Sequence, residues 1–189
     1  MSDKINLGSN GFTLPMPMAI LGTVFKGTSN FMAVAWCTRV NYAPPMLIVA
    51  LNQRHASHEA LRDTGVFSLN FPDESQLAAT DYVGLVSGHR TDKSAVFTTK
   101  EGTLPGAPLI AACPYALECK VAQRIDLPSN SIFVAEIVAT WAEERILTDG
   151  VPDLAKLKPF MLSMPDNRYW SVGEVIGKAW HDGKELKRL

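Results

Sequence analysis

Apolar residues come in short runs divided by turn residues. Met18–Phe25 is apolar apart from Gly22 and Thr23, Lys26-Gly27-Thr28-Ser29-Asn30 supplies a turn, and Phe31–Cys37 follows as a second strand. The pair is predicted to be a hairpin. Pro44-Pro45 leads into Met46–Leu51, an unbroken apolar run of the kind expected for a strand buried on both faces. A short helix is predicted to begin at Ser57, whose hydroxyl would cap His58–Asp63, and Gly65 would end it. Val66–Asn70 returns as a strand with Phe67 and Leu69 on one face. Asp73-Glu74-Ser75-Gln76 has the form of a capping box and opens a second helix running to about Val86. The polar loop Gly88–Lys93 and a third short helix come next. Leu117–Ala122 and Ile132–Ala139 are the later strands, with a turn at Pro128–Ser131. Gly150–Asp166, richer in Pro, Asp and Lys, is predicted to be a surface excursion of the same domain.

Strands separated by turns or by single helices, without regular strand–helix alternation, predict an antiparallel sheet or barrel with helical insertions. A doubly wound parallel fold is the weaker reading. The chain has 189 residues, 47% of them hydrophobic and 20% charged, which suits one folded domain over 1–189 and excludes wholesale disorder. Eighteen Lys and Arg against nineteen Asp and Glu leave a net charge of −1, so there is no basic footprint for nucleic acid. The longest apolar run is too short to cross a bilayer, and Met1–Asn6 lacks the pattern of a secretory signal. Cys37, Cys113 and Cys119 are odd in number and match no metal or redox spacing, which predicts buried free thiols in a cytoplasmic protein.

Several reaction classes drop out. There is no Gly-x-Gly-x-x-Gly, no phosphate-binding Gly-x-x-x-x-Gly-Lys-Ser/Thr and no Gly-x-Ser-x-Gly elbow. His55 and His58 stand three apart, but a metal would need two more ligands and only Glu59 is at hand. His89 and His181 complete no hydrolytic triad. The remaining constellation has the size of a phosphate. Ser57 opens a helix whose first N–H groups favour an anion, Lys93 follows Asp92 in a polar loop, and Asn30 sits at a hairpin turn beside the strand containing Trp36. Each also has an ordinary reading: Ser57 as a cap, Lys93 as a solvated surface residue, Trp36 as core.

The order of these segments adds to that pattern. Asn30-Phe31-Met32-Ala33-Val34-Ala35-Trp36 followed by Pro44-Pro45-Met46-Leu47-Ile48-Val49 resembles the opening of the FMN-binding split-barrel flavin reductase family. Phe67–Pro72, Val86-Ser87-Gly88-His89-Arg90-Thr91-Asp92-Lys93-Ser94, Leu117–Lys120, Phe133–Ile137, Lys158-Pro159, Tyr169 and Gly173 continue the resemblance over nearly the whole chain. Within the family the likeness is to the flavoredoxins. The resemblance implies a mainly β fold with α insertions, a Greek-key split β-barrel, acting as a homodimer with one FMN per subunit. It implies flavin contacts from Asn30, Trp36, Ser57 and Lys93, with backbone groups of Met32, Ala33, Ala35 and Cys37 as neighbours. Two positions depart from it: Asn130 stands where flavoredoxins carry a histidine and Leu162 where they carry a phenylalanine. Asparagine still donates a hydrogen bond but cannot become cationic, and leucine offers no aromatic face. The implied activity is a flavin-dependent oxidoreductase taking electrons from NAD(P)H or from a redox protein, with no catalytic side chain and no metal. The alternative is a non-catalytic FMN-binding module for storage or sensing.

Overall fold

A computed structural model describes residues 4–188. In chain order the elements are β1 (Met16–Pro17), β2 (Ala19–Phe25), β3 (Thr28–Val34), β4 (Cys37–Asn41), β5 (Met46–Asn52), α1 (Ala56–Thr64), β6 (Val66–Phe71), α2 (Leu77–Leu85), β7 (Thr99–Lys100), β8 (Leu109–Ile110), β9 (Tyr115–Asp126), β10 (Asn130–Ala142), β11 (Leu147–Thr148), β12 (Val151–Pro152), α3 (Leu154–Leu157), β13 (Phe160–Ser163) and β14 (Arg168–Ser171). Among the described residues no helix is long and apolar enough to cross a membrane.

Seven strands form one antiparallel sheet in the order β3-β2-β6-β9-β10-β5-β4. Its two edge strands, β3 and β4, are joined only by Ala35 and Trp36. A connection that short brings the edges together although no ladder pairs them, so the sheet curls into a barrel split along one seam. The inner faces meet in one core: Leu21 of β2, Leu47, Val49 and Leu51 of β5, Phe67 and Leu69 of β6, Cys119 of β9 and Phe133 of β10. Pairing of β6 with β2, and of β5 with β10, skips sequence neighbours and gives the Greek-key connectivity.

The strand alternation explains one departure from expectation. In β5 only Leu47, Val49 and Leu51 are fully buried, and Met46, Ile48 and Ala50 on the other face are half-buried. The unbroken apolar run is therefore a one-sided barrel strand. Phe31–Cys37 also differs, because β3 ends at Val34 and β4 begins at Cys37, the break being the seam. The predicted third helix is a single 3₁₀ turn, Ser94–Val96, and Asn130 and Ser131 belong to β10 rather than to the preceding turn. The segment read as a surface excursion contains β12, α3 and β13, and β13 belongs to a three-stranded sheet, β1-β13-β14.

A second apolar cluster lies outside the barrel and sets the position of the site. Ile20 and Phe31 pack against Val83 of α2 and against Ile110 and Cys113, with Val96 and Phe97 at the margin. The Phe31 and Phe97 rings meet edge to face with centroids 5.2 Å apart. This fixes α2 and the loop before the 3₁₀ turn on the outer face of β3. The Tyr169 hydroxyl of β14 donates to Asp81 Oδ1 of α2 at 2.7 Å, and burial followed by that bond pushes its pKa up to about 12. Helix α1 is held at the end of β2 by Phe25, Ala56 and Ala60, and Gly65 ends it in the left-handed conformation (φ 67°) with its N–H on Leu61 O. On the far side of the sheet the buried Glu118 carboxylate accepts from Thr103 N and Oγ1, Leu104 N and Trp141 Nε1 at 2.8–3.1 Å. It ties the 99–110 loop to the barrel.

Candidate functional site

The start of α1, the end of α2 and the strand β3 converge on one place. Helix α1 begins at Ala56 with His55 as its N-cap, and no side chain caps it. This corrects the capping role expected for Ser57. Ser57 lies inside the first turn, is buried, and its Oγ accepts from Asn30 Nδ2 at 2.9 Å. Asn30 Nδ2 also reaches Thr23 Oγ1 at 3.3 Å, while that hydroxyl donates to the Asn30 main-chain oxygen. Thr23 and Asn30 are cross-strand neighbours in the β2–β3 ladder, so the hairpin register aims the Asn30 amide at α1. The His58 amide donates to His55 O at 3.0 Å, whereas the Ala56 and Ser57 amides at the same end of α1 have no intrahelical acceptor and carry the positive end of the helix dipole.

Lys93 is not the solvated residue its polar neighbours suggest, because only 3% of it is exposed. Its ammonium donates to Val83 O and Val86 O, both at 3.2 Å, at the carbonyl end of α2. An ammonium has three donors, so one N–H is left over. Burial lowers the Lys93 pKa from 10.5 to about 8. His55 also titrates below its usual range, first through desolvation and then through the charges of Lys93 and His89.

A cavity of about 190 Å³ opens between these elements, lined among others by Met32, Ala33, His55, Ser57, Gly88 and Lys93. A second hollow of about 260 Å³ on the other side of Lys93 is lined by Asn30, Lys26, His89 and Arg90. Gly88 separates the two. A Cβ there would collide with Asn30 Oδ1 and come within 3.0 Å of the Ala56 Cβ. Only glycine lets the 87–93 loop pass so close to α1. A buried cation with a spare donor, uncapped helix amides and a glycine-lined wall suit a phosphate group.

Comparison with known proteins bears on what carries that phosphate. Residues 12–155 match the flavin reductase like domain family. The chain belongs to this family. Flavoredoxin from Methanosarcina acetivorans is 45% identical, with 98% of this chain and 100% of that one covered and a TM-score of 0.96. Flavoredoxin of Desulfovibrio vulgaris (Miyazaki F) is 30% identical over 96% of this chain and 100% of that one, with a TM-score of 0.90. The FMN reductase (NADH) RutF of Pseudomonas syringae pv. syringae is 27% identical over 113 residues, 59% of this chain and 61% of that protein. The chain spans 57% of an uncharacterized Aeropyrum pernix protein that it also matches. The split barrel of this flavin reductase-like chain is thus the fold of the flavoredoxins.

Of the residues singled out in the sequence, five border the two hollows of this flavin reductase-like domain: Asn30, Met32, Ala33, Ser57 and Lys93. The other five stand elsewhere. Ala35 and Trp36 form the barrel seam, and Trp36 is 47% exposed, so it is not a core residue. Cys37 lines a different groove, and burial raises its thiol pKa to about 11. Asn130 opens β10 opposite Asn52, its Oδ1 accepting from Ser129 Oγ at 3.0 Å. Leu162 pairs with Met16 and Tyr169 in the small sheet. His55 and Thr23 were not singled out as part of this site. The uncapped start of α1 is the signal that would have found His55, and the cross-strand position opposite Asn30 is the one for Thr23.

Proposed function

We propose that the chain is an FMN-binding flavoprotein oxidoreductase of the flavin reductase and flavoredoxin type, taking electrons from NAD(P)H or from a redox protein. The observation that carries the reading is the Lys93 ammonium, buried beside the 190 Å³ cavity with one N–H unspent. The family match and the names of its relatives, flavoredoxin and FMN reductase (NADH), support FMN as the phosphate's bearer. Lys93, the Ser57 hydroxyl and the α1 amides hold the phosphate. Asn30 keeps the Ser57 oxygen in place, which leaves the Ser57 proton to donate to the ligand. The β3 backbone at Met32 and Ala33 offers the polar edge along which a ring can lie, and Ala35, Trp36 and Cys37 continue that edge across the seam. Asn130 of β10 and Leu162 of the small sheet stand outside the two hollows and offer neither an ionisable nor an aromatic group to a ring. FMN, when bound, supplies the redox chemistry that no side chain here provides. The chain's own part is to bind, orient and screen it. The active form is a homodimer, and the free thiols of Cys37, Cys113 and Cys119 fit the cytoplasm.

The test is anaerobic. The purified protein is expected to be yellow and to release FMN on denaturation. Bleaching by NADH or NADPH identifies a reductase, and bleaching only by a reduced ferredoxin or cytochrome identifies an electron carrier. A flavin that stays oxidised with every donor indicates a storage or sensing module, and a colourless preparation that takes up no FMN overturns the reading.

A further inference from the structure

Beyond β14 the chain runs into an exposed arm. From Gly173 to His181 every residue is exposed, and the apolar members are nearly bare: Val175 91%, Ile176 101% and Trp180 95%. The arm is not a frayed end. Lys178 N–H donates to Asp182 Oδ2 at 2.7 Å, and Lys178 O accepts from His181 N and Asp182 N at 3.3 and 3.2 Å. This closed turn holds Trp180 outward at φ 56°, a conformation uncommon for an aromatic residue. Gly177 leaves room for the Asp182 carboxylate, whose Oδ2 would lie 2.7 Å from a Cβ there. A turn built to present an uncovered tryptophan next to an uncovered isoleucine calls for an apolar acceptor.

The same chain carries one. A groove of about 470 Å³ opens at one mouth of the barrel between Leu69, Phe71, Tyr115, Leu117 and Ile137, and among the described residues Arg39 is the one charged residue on its lining. Val138 at its rim is 50% exposed. Pro17 of β1 also forms part of the rim, and β1 pairs with β13, whose neighbour β14 launches the arm. The arm, however, leaves its own groove open. Its one acidic residue before the turn, Glu174, adjoins Val175 and Ile176 and matches the groove's single cation. Apolar arm and apolar groove are thus carried by one chain and left unpacked by it, and Arg39, whose guanidinium donates to Asn41 O and Tyr42 O, has no ion-pair partner among the described residues. Such a surface is complementary to itself across a two-fold axis.

We propose that the 173–180 arm of each chain docks in the barrel-mouth groove of a second copy, in a reciprocal exchange that holds the dimer together. The inference rests on the homodimer in the functional proposal and names the surfaces that make it. Ile176 and Trp180 fill the groove and Glu174 faces Arg39. A tryptophan alone buries roughly 150–250 Å². Two arms with two tryptophans, two isoleucines and two valines therefore reach the order of area that a stable pair requires, roughly 1,200–2,000 Å² in total.

Two measurements on the full chain test it. Sedimentation equilibrium compares the wild type with Ile176→Glu/Trp180→Glu, whose changed residues are exposed and do not enter the core. The expected result is a wild-type dimer and a double variant at least ~100-fold weaker in self-association, with its melting and bound flavin retained. In the second, isotopically heavy chains carrying a photo-crosslinking phenylalanine analogue at Ile176→X are mixed with light wild-type chains and irradiated. Adducts joining heavy arm to light 115–117 or 137–140 peptides support the exchange. Adducts confined to one chain, no adducts at the groove, or a double variant that dimerises like the wild type overturn it and leave the dimer standing. A monomeric wild type overturns both the exchange and the dimer, and bound FMN reports separately on the cofactor.

Discussion

Replacing Lys93 by methionine keeps the length of the side chain and removes its charge. The lysine pays for its burial, since its pKa falls from 10.5 to about 8. A shift of that size corresponds to about 3 kcal/mol between the charged and neutral forms. The sign follows from the protons bound. Between pH 8 and 10.5 the unfolded chain holds a proton on this lysine that the folded apoprotein has lost, so stability rises with pH through that window. Below about pH 8 the full penalty is present. Lys93→Met removes the titrating group, so its stability carries no such rise. Urea unfolding of the apoproteins at pH 6.5 and 10.5 is therefore expected to show wild-type stability gaining about 3 kcal/mol on that of the variant as the pH is raised. The ligand behaves oppositely. FMN affinity is expected to fall by about 1.5–3 kcal/mol in the variant at pH 7, the worth of a charge-assisted hydrogen bond, while riboflavin, which lacks the phosphate, binds both proteins alike. A stability difference that does not change with pH would refute the buried-cation account. An FMN to riboflavin affinity ratio that survives the substitution would refute the placement of the phosphate.

Three further substitutions probe the surroundings. Gly88→Ala sets a methyl group against Asn30 Oδ1 and the Ala56 Cβ; displacing Asn30 from Ser57 should cost about 1–3 kcal/mol, visible as a lower apoprotein Tm and weaker FMN retention. Glu118→Gln leaves a neutral group among four donors that now serve a carboxylate. Burial disfavours the Glu118 anion, but its hydrogen bonds prevail and hold the pKa below the ordinary value, so wild-type stability at neutral pH is lost as the pH falls through that lowered pKa. Acid unfolding of Glu118→Gln should lack this component and start from a stability about 1–3 kcal/mol lower at pH 7. Phe133→Ala, at a core position 1% exposed, should cost about 3–5 kcal/mol by chemical denaturation and leave the FMN to riboflavin ratio unchanged.

Local chemistry was legible in the sequence and tertiary placement was not. Gly65 is the left-handed helix end it promised to be, and Asp73 and Gln76 make both bonds of the capping box, though on a 3₁₀ turn leading into α2. The β2–β3 and β9–β10 hairpins follow from turn residues between apolar runs. Lys93 is different: beside His89, Arg90, Thr91 and Asp92 it reads as solvated. It is buried because Phe97, four residues on, packs against Phe31 and draws the loop onto the end of α2. Ser57 reads as a cap because its true partner, Asn30, lies 27 residues away on another element. Glu118 sits in a strand where alternation allows an outward acid, and its donors stand 14–23 residues distant. In each case the missing information is a partner that only the closed barrel supplies.

The two helix ends at the site work against each other in a way that sets its response to pH. The start of α1 offers positive amides to an anion, while the end of α2 presents carbonyls that draw Lys93 inward. Two of the three lysine donors are spent on those carbonyls, so the cation is poised beside the cavity at a cost that a bound anion removes. A phosphate dianion at the third donor restores the reason for Lys93 to stay protonated and raises its pKa from about 8 toward the ordinary lysine range. Binding and protonation are therefore linked. FMN affinity should be level between the phosphate's second ionisation, near pH 6, and pH 8. Above pH 8 it should weaken by up to about tenfold per unit until the bound-state pKa is passed. Riboflavin binding, and FMN binding to Lys93→Met, should not change across that upper range. Fluorescence titrations from pH 6.5 to 9.5 decide the matter, because an FMN dissociation constant that does not move with pH in the wild type is incompatible with a half-satisfied ammonium waiting for the phosphate.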